Sequence, residues 1–281
     1  MSVSRVPSAK DRLNFLYPEG GPGQQLKARL KAKQVQIGGI LDEYARPIVP
    51  KLYQQAGFDF VYIEYEHASL SPPDLVDTVL AARDIGIPVI AKTPQLERQE
   101  VAKLLEMGVV GIQLPRTESR VQVEELRSYM KFPPGGTRAV APGYGNSDYV
   151  QPSPSNWDQW MVNQDAEVTL VVHIETKLAY DRAEEIISTP GVDMVYVGPG
   201  DFSIEMGHPG DYGHPEVADP MEEILKICQN HGIPFGTTAA DASSAAKWVE
   251  KGALFFETED ERALILSGAT QLVNAYRKSM E

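Results

Sequence analysis

Apolar and polar positions come in blocks along this chain. After residue 35 a short run of β-branched and aliphatic residues gives way to a polar stretch. An amphipathic helical pattern ending near glycine follows, and the cycle restarts. Eight runs read as strands: VQIGGIL (35–41), FDFVYIEYE (58–66), IPVIAKT (87–93), GVVGIQLP (108–115), VTLVVHIET (168–176), VDMVYVGPG (192–200), IPFGTTA (233–239) and ALFFETE (253–259). Most are continuously hydrophobic, as parallel strands covered by helices must be. Between them lie helical patterns such as SPPDLVDTVLAARDIG and RQEVAKLLEMG, several closed by glycine. Strand–helix alternation eight times over predicts an α/β protein, a single (β/α)8 TIM barrel over residues 35–281. A doubly wound sheet also alternates, but no glycine-rich phosphate loop follows the first strand.

Two segments break the cycle. Residues 1–34 carry PEGGPG and then LKARLKAK, which predict an N-terminal extension with a short helix closing the bottom of the barrel. Its Lys and Arg residues read as a solvated face, with a basic binding patch as the alternative. Residues 133–166 are rich in Pro, Gly and Asn and hold Tyr144, Tyr149, Trp157 and Trp160. A loop this long, with these aromatics, is expected to close over a ligand or to pack against another subunit.

Composition narrows the class. A chain of 281 residues with 42% hydrophobic content suits one barrel. A net charge of −13 argues against nucleic acid or an anionic membrane as partner and makes a bound cation easy to accommodate. The single cysteine, Cys228, excludes an intramolecular disulfide and a cysteine-rich zinc site, and its helical context points to a buried apolar role. No apolar run reaches the ~18 residues of a membrane span and no secretion signal opens the chain, so a cytoplasmic protein is expected.

The candidate chemistry concentrates in VHIETK and VGPGDFS, two buried-strand patterns that each end in a carboxylate, Glu175 and Asp201. Their 26-residue separation is one strand–helix–strand step, so both acids are expected on neighbouring strands at one mouth of the barrel. Acids there can hold a hard divalent cation. A strand-end acid also caps the next helix, but two in consecutive units, the second after Gly-Pro-Gly, favour a site. His173, two residues before Glu175 and on the same face, either lines the barrel beneath that site or is a hydrogen-bonded core residue. His208 and His214 fall in the loop after Asp201 without an assigned role.

GFDFVYIEYEH, LLEMGVVGIQLP, KFPPGGTR, IET, GVDMVYVGPGDFS and HPEV resemble, in order and spacing, the HpcH/HpaI-type aldolases over about residues 35–275. The resemblance implies a (β/α)8 barrel, commonly a homo-hexamer built as a trimer of dimers. It also implies Mg2+, Mn2+ or Co2+ at the active site, and small-molecule partners, a 2-oxo acid and an aldehyde. By the same resemblance Glu175 and Asp201 are the metal ligands, and backbone N–H groups around Gly198, Gly200 and Asp201 hold the pyruvate carboxylate. His67 is the acid/base, a role imidazole suits near neutral pH, and Glu106 is its carboxylate partner. Arg138 contacts substrate or a neighbouring subunit, or forms a structural salt bridge. Glu66 is expected on the opposite face of its strand.

Three positions depart from the family pattern. Lys92 stands where the family carries an arginine that steadies the substrate oxygen; Glu106 and Glu64 stand where it carries aspartates. Each swap keeps the charge and moves it. The cavity is then re-proportioned for another substrate, or the enzyme is degraded, or Lys92 forms a Schiff base. Glu257, Glu259, Asp260 and Glu261 crowd the end of the eighth strand, where relatives carry smaller residues before a single Asp. The expected function is a metal-dependent lyase acting through a pyruvate enolate: aldol cleavage of a 4-hydroxy-2-oxo acid, with oxaloacetate decarboxylation through the same enolate. The alternatives are capture of that enolate by a larger unsaturated acceptor, as in macrophomate synthase, and a non-catalytic ligand-binding or scaffolding barrel.

Overall fold

The computed structural model of the protein describes residues 20–281; residues 1–19, the first part of the predicted extension, lie outside the described residues. Strands β1 (Gln36–Leu41), β2 (Phe60–Glu64), β3 (Val89–Lys92), β4 (Gly111–Leu114), β5 (Thr169–Ile174), β6 (Met194–Val197), β7 (Phe235–Thr237) and β8 (Phe255–Asp260) form one closed barrel. Every neighbouring pair is parallel, including β8 with β1. The helices, in chain order, are α1 (Pro22–Lys31), α2 (Ile48–Ala56), α3 (Pro72–Asp84), α4 (Arg98–Met107), α5 (Arg120–Met130), α6 (Trp157–Glu167), α7 (Lys177–Asp181), α8 (Ala183–Ile187), α9 (Pro199–Glu205), α10 (Pro215–His231), α11 (Ala242–Lys251) and α12 (Glu261–Met280).

Side-chain alternation divides the interior in two. Leu170, Val172 and Ile174 of β5 face outward into the layer between strands and helices, with Val79, Leu104, Leu126 and Ile186 among their company. Val171 of the same strand faces inward, into a second cluster with Phe60, Ile90, Met194 and Phe255. Leu26 and Leu30 of α1 complete that cluster and close the N-terminal end of the barrel. The approach is close: a Cβ on Gly23 would lie 2.1 Å from the Glu167 carbonyl oxygen, so only glycine fits there. The Glu167 carboxylate accepts the Gly23 and Gln24 N–H groups at 2.7 and 3.2 Å, and Lys27 Nζ donates to the Val168 carbonyl at 3.0 Å. The Gly23 and Gln24 N–H groups stand at the helix start and have no partner within α1.

Of the two expectations for segment 133–166, a lid or a subunit contact, the lid over this chain's own mouth is corrected. The last third of the segment is α6, and Trp160 is buried against Phe132 at 5.5 Å between ring centroids. Asp148 is clamped by Arg83 Nε and Nη2 at 3.0 and 3.2 Å, which pins the preceding turn to α3. This segment leads from α5 to the start of β5, so it lies toward the N-terminal ends of the strands, away from the mouth where the acids sit. The last helix breaks the barrel pattern in another way. In α12 only Glu261 is buried, while Ile265, Leu272, Tyr276 and Leu266, the last 69% exposed, lie bare. No helix among the described residues is long and apolar enough to cross a membrane.

Candidate active site

The C-terminal ends of the strands enclose a cavity of about 280 Å³ bordered by Glu64, His67, Lys92, Glu175, Asp201 and Glu257, among others. Strand register brings the first of these together. Glu64, the last residue of β2, stands beside Lys92, the last of β3. Lys92 Nζ lies 3.6 Å from Glu64 Oε2 and 2.5 Å from Glu66 Oε2. β2 ends at Glu64, so strand alternation no longer governs Glu66. Contrary to expectation, its carboxylate turns toward Lys92, and His67 Nε2 lies 3.4 Å from the same oxygen. Glu64 Oε1 accepts the N–H groups of Glu66 and His67 at 3.0 and 3.2 Å, which fixes this turn. His67 itself is open to solvent, its side chain 68% exposed.

Lys92 is only 4% exposed, and burial alone would pull its ammonium down. The carboxylates of Glu175, Glu64 and Glu66 more than offset that and hold it above the ordinary lysine value. A protonated, ion-paired ammonium is not the free amine that a Schiff base requires.

Glu175 follows β5 directly and is buried. Its Oε1 accepts the Arg116 backbone N–H at 2.7 Å, and Arg116 adopts a left-handed φ of 45° to present it. His173 Nε2 approaches Glu175 Oε2 to 3.1 Å but off the hydrogen-bond direction, so it has no hydrogen-bond partner. Burial, then Lys92, holds the His173 imidazole well below the ordinary histidine value, and it is neutral. Burial pushes the Glu175 carboxyl up to about 7; Lys92 and the Arg116 N–H oppose this, while Asp201 and Glu66 add to it. Asp201 sits in the first turn of α9 on the rim of the same cavity.

The glycines before Asp201 serve different ends. A Cβ on Gly198 would lie 2.2 Å from His173 Nε2, whereas one on Gly200 meets nothing within 4 Å and faces open space. The expectation that Gly198 offers its N–H to a ligand is corrected: that group donates to the Ile174 carbonyl at 3.3 Å. The N–H groups of Gly200 and Asp201 belong to the first turn of α9, where the helix itself supplies no acceptor.

Two predicted residues are not in this cavity. Glu106 lies at the end of α4, just before the chain turns into β4, and Arg138 lies between α5 and β5. Both are therefore at the N-terminal end of the barrel, because helices run back against the strands. There Arg138 is buried with its guanidinium 4.7 Å above the Phe132 ring. Burial lowers it to about 10, with the carboxylates of Asp165 and Glu106 opposing. Within one chain neither touches the group around His67. Sequence reasoning also missed the participation of Arg116 and Glu66, whose positions depend on turns after strand ends. The inward position of Glu257 was legible from the alternation along β8.

The donor set fits a hard divalent cation. Glu175 and Asp201 offer carboxylate oxygens to one cavity, Asp201 raises the cost of ionising Glu175, and open space lies before Gly200. Glu64, Glu66 and His67 also bring ligand atoms within 4.8 Å of one another, but Lys92 is already ion-paired with both acids of that group.

A family profile described as HpcH/HpaI aldolase/citrate lyase matches residues 44–261. The chain belongs to that family. A 5-keto-4-deoxy-D-glucarate aldolase of Klebsiella pneumoniae subsp. pneumoniae is 29% identical over 266 residues, covering 94% of this chain and 99% of the relative. The crystal structure of an HpcH/HpaI aldolase from Desulfitobacterium hafniense superposes with a TM-score of 0.83 at 28% identity, covering 90% of this chain and 96% of that one. Macrophomate synthase, at 21% identity and a TM-score of 0.78 over 92% of this chain and 91% of its own, shares the fold. Family membership and these relatives support an aldolase or lyase acting on small molecules.

Proposed function

We propose that this HpcH/HpaI family member is a divalent-metal-dependent lyase that cleaves a 4-hydroxy-2-oxo acid to pyruvate and an aldehyde, and runs in reverse as an aldol addition. The observation that carries the reading is the convergence of Glu175, Asp201, Lys92 and His67 on one cavity at the C-terminal mouth of the barrel. The name of the Klebsiella relative agrees. Counted from its keto end, a keto-deoxy-glucarate is a 2-oxo acid with a hydroxyl on the fourth carbon.

His67, open to the cavity, takes the proton of that hydroxyl. The bond between the third and fourth carbons breaks and a carbonyl forms at the fourth, which leaves as the aldehyde. The electron pair passes to the keto oxygen as an enolate, and protonation at the third carbon yields pyruvate. A divalent cation (Mg2+, Mn2+ or Co2+) held by Glu175 and Asp201 would supply Lewis-acid stabilisation of the charge that develops on the keto acid. The Lys92 ammonium adds fixed positive charge in a buried setting, where it needs no reorganisation. Gly200 and Asp201 turn their N–H groups to the substrate carboxylate. Oxaloacetate loses CO2 to give the same enolate, so its decarboxylation belongs to the same site.

The bare apolar residues of α12 support a homo-oligomer in which a second copy covers that helix. Residues 35–281 form the catalytic barrel, with residues 1–34 as its extension. The test is pyruvate release from a 4-hydroxy-2-oxo acid with Mg2+ or Mn2+ and with EDTA, in the native protein and in Glu175→Gln and Asp201→Asn. Turnover that needs the metal and both acids supports the reading; full turnover in either variant contradicts it.

A further inference from the structure

The cavity holds more than a keto-acid site. Among the described residues that border it, Lys92 is the one lysine or arginine, against the carboxylates of Glu64, Glu175 and Asp201. Lys92 is already committed to Glu64 and Glu66. A divalent cation between Glu175 and Asp201 would cancel two of the negative charges and leave none of its own over. An aldehyde bearing a carboxylate would therefore enter a wall with no free positive group, in a buried setting where charge repulsion is weakly screened.

The wall offers hydrogen bonds instead. Glu257, on β8, is 1% exposed and faces inward. Its Oε2 is 3.4 Å from Gln113 Nε2, and the Tyr196 hydroxyl lies against the same carboxyl without completing a hydrogen bond to Oε1. Beside it Tyr196 Oη and Thr238 Oγ1 are 2.6 Å apart, and Thr238 Oγ1 donates to the Glu257 carbonyl at 2.8 Å. Burial holds the Glu257 carboxyl well above the ordinary carboxylate range, which favours the protonated form, with a proton to share. A neutral carboxyl both donates and accepts, as an alcohol does. A buried oxygen without a partner is costly until something fills the gap.

We propose that the aldehyde partner is an uncharged, hydroxylated aldehyde, selected by the absence of a free cation around the cavity and by a hydroxyl-binding wall centred on Glu257 and Thr238. This deepens the aldolase reading and rests on it. On this reading the substrate is not a glucarate, which carries a second carboxylate at the end that becomes the aldehyde half.

Three aldehydes of matched size decide the matter in aldol addition to pyruvate with Mn2+: glyceraldehyde, tartronate semialdehyde (a carboxylate in place of the terminal alcohol) and propanal (no hydroxyl). The expected result is a kcat/KM for glyceraldehyde at least ~10-fold above both others, the scale on which a site built for hydroxyl groups discriminates. Glu257→Leu is expected to bring glyceraldehyde down to the level of propanal, while Glu257→Gln keeps most of the preference. Tartronate semialdehyde matching or exceeding glyceraldehyde would overturn the charge argument, and propanal matching glyceraldehyde would overturn the hydroxyl-binding wall. Deuterium exchange into the methyl group of pyruvate, measured alongside with Mn2+ and with EDTA, separates the failures. Metal-dependent exchange without the aldehyde preference overturns this inference alone; no metal-dependent exchange overturns the aldolase reading and this inference with it.

Discussion

The two ends of the barrel interior are built from the same strands and behave oppositely. Near the N-terminal end the inward residues are Phe60, Ile90, Val171 and Phe255, sealed by Leu26 and Leu30. Further along each strand they become Glu64, Lys92, His173 and Glu257. Gln113 Oε1, His173 Nε2 and Glu257 Oε1 are left there without hydrogen-bond partners. One end is packed mainly by apolar side chains, with the Thr169 hydroxyl left without a partner among them, while the other buries charge and leaves several polar atoms open. A stable end thus carries a strained one, as expected where stability is given up for chemistry.

Substitutions at the two ends should therefore separate activity from stability. Glu175→Gln is expected to lower metal-dependent turnover by on the order of a thousandfold, several kcal/mol of charge stabilisation, while circular dichroism stays native. A comparable activity loss on replacing a residue at the sealed end would erase the distinction. Lys92→Met should damage both properties. It leaves Glu64 and Glu66 facing each other, and removing one partner of a buried ion pair costs about 3 to 5 kcal/mol. Denaturant melts and steady-state rates together would show it, and Lys92→Arg should recover part of each. Leu26→Ala is expected to cost about 3 kcal/mol of unfolding free energy through lost burial and a residual cavity, with kcat unchanged.

How much of this was legible in the sequence follows the same division. The apolar runs that end at Glu175 and Asp201 place both at one mouth, although Asp201 reaches it from the first turn of α9 and not from β6, and Lys92 is placed there by resemblance at the tip of β3. Strand alternation misplaces Glu66, which lies past the end of β2, where a turn stabilised by Glu64 replaces the two-residue period. Resemblance alone pairs Glu106 with His67 and gives Arg138 a substrate, a neighbouring subunit or a salt-bridge partner; within one chain the return of each helix carries both to the far end. The aromatics of residues 133–166 suggested a lid or a subunit contact because aromatic content alone says nothing of direction; Arg83 holds Asp148 and Phe132 holds Trp160 away from the mouth, while Tyr144 and Tyr149 stay exposed. Arg116 left no signal at all, since its contribution is a backbone N–H set by a left-handed φ.

The smallest expected effect lies at the start of α12. Asp42 is pushed up to about 6 from 3.8 by burial, with Glu261 and Asp260 adding to it and Arg262 opposing. Its pKa is higher folded than unfolded, so its ionisation opposes folding. The stability it contributes is full below pH 3.8 and is lost as pH rises through about 6. Asp42→Asn should therefore raise Tm near neutral pH and give no gain near pH 3.8, readable in melts across that range.

The most direct test is deuterium exchange into the methyl group of pyruvate, followed by NMR with Mn2+ and again with EDTA. Glu175, Asp201 and Lys92, as arranged here, predict exchange that requires the metal and disappears on chelation. Exchange that persists in EDTA and is trapped by borohydride would contradict the account by transferring the chemistry to a lysine amine.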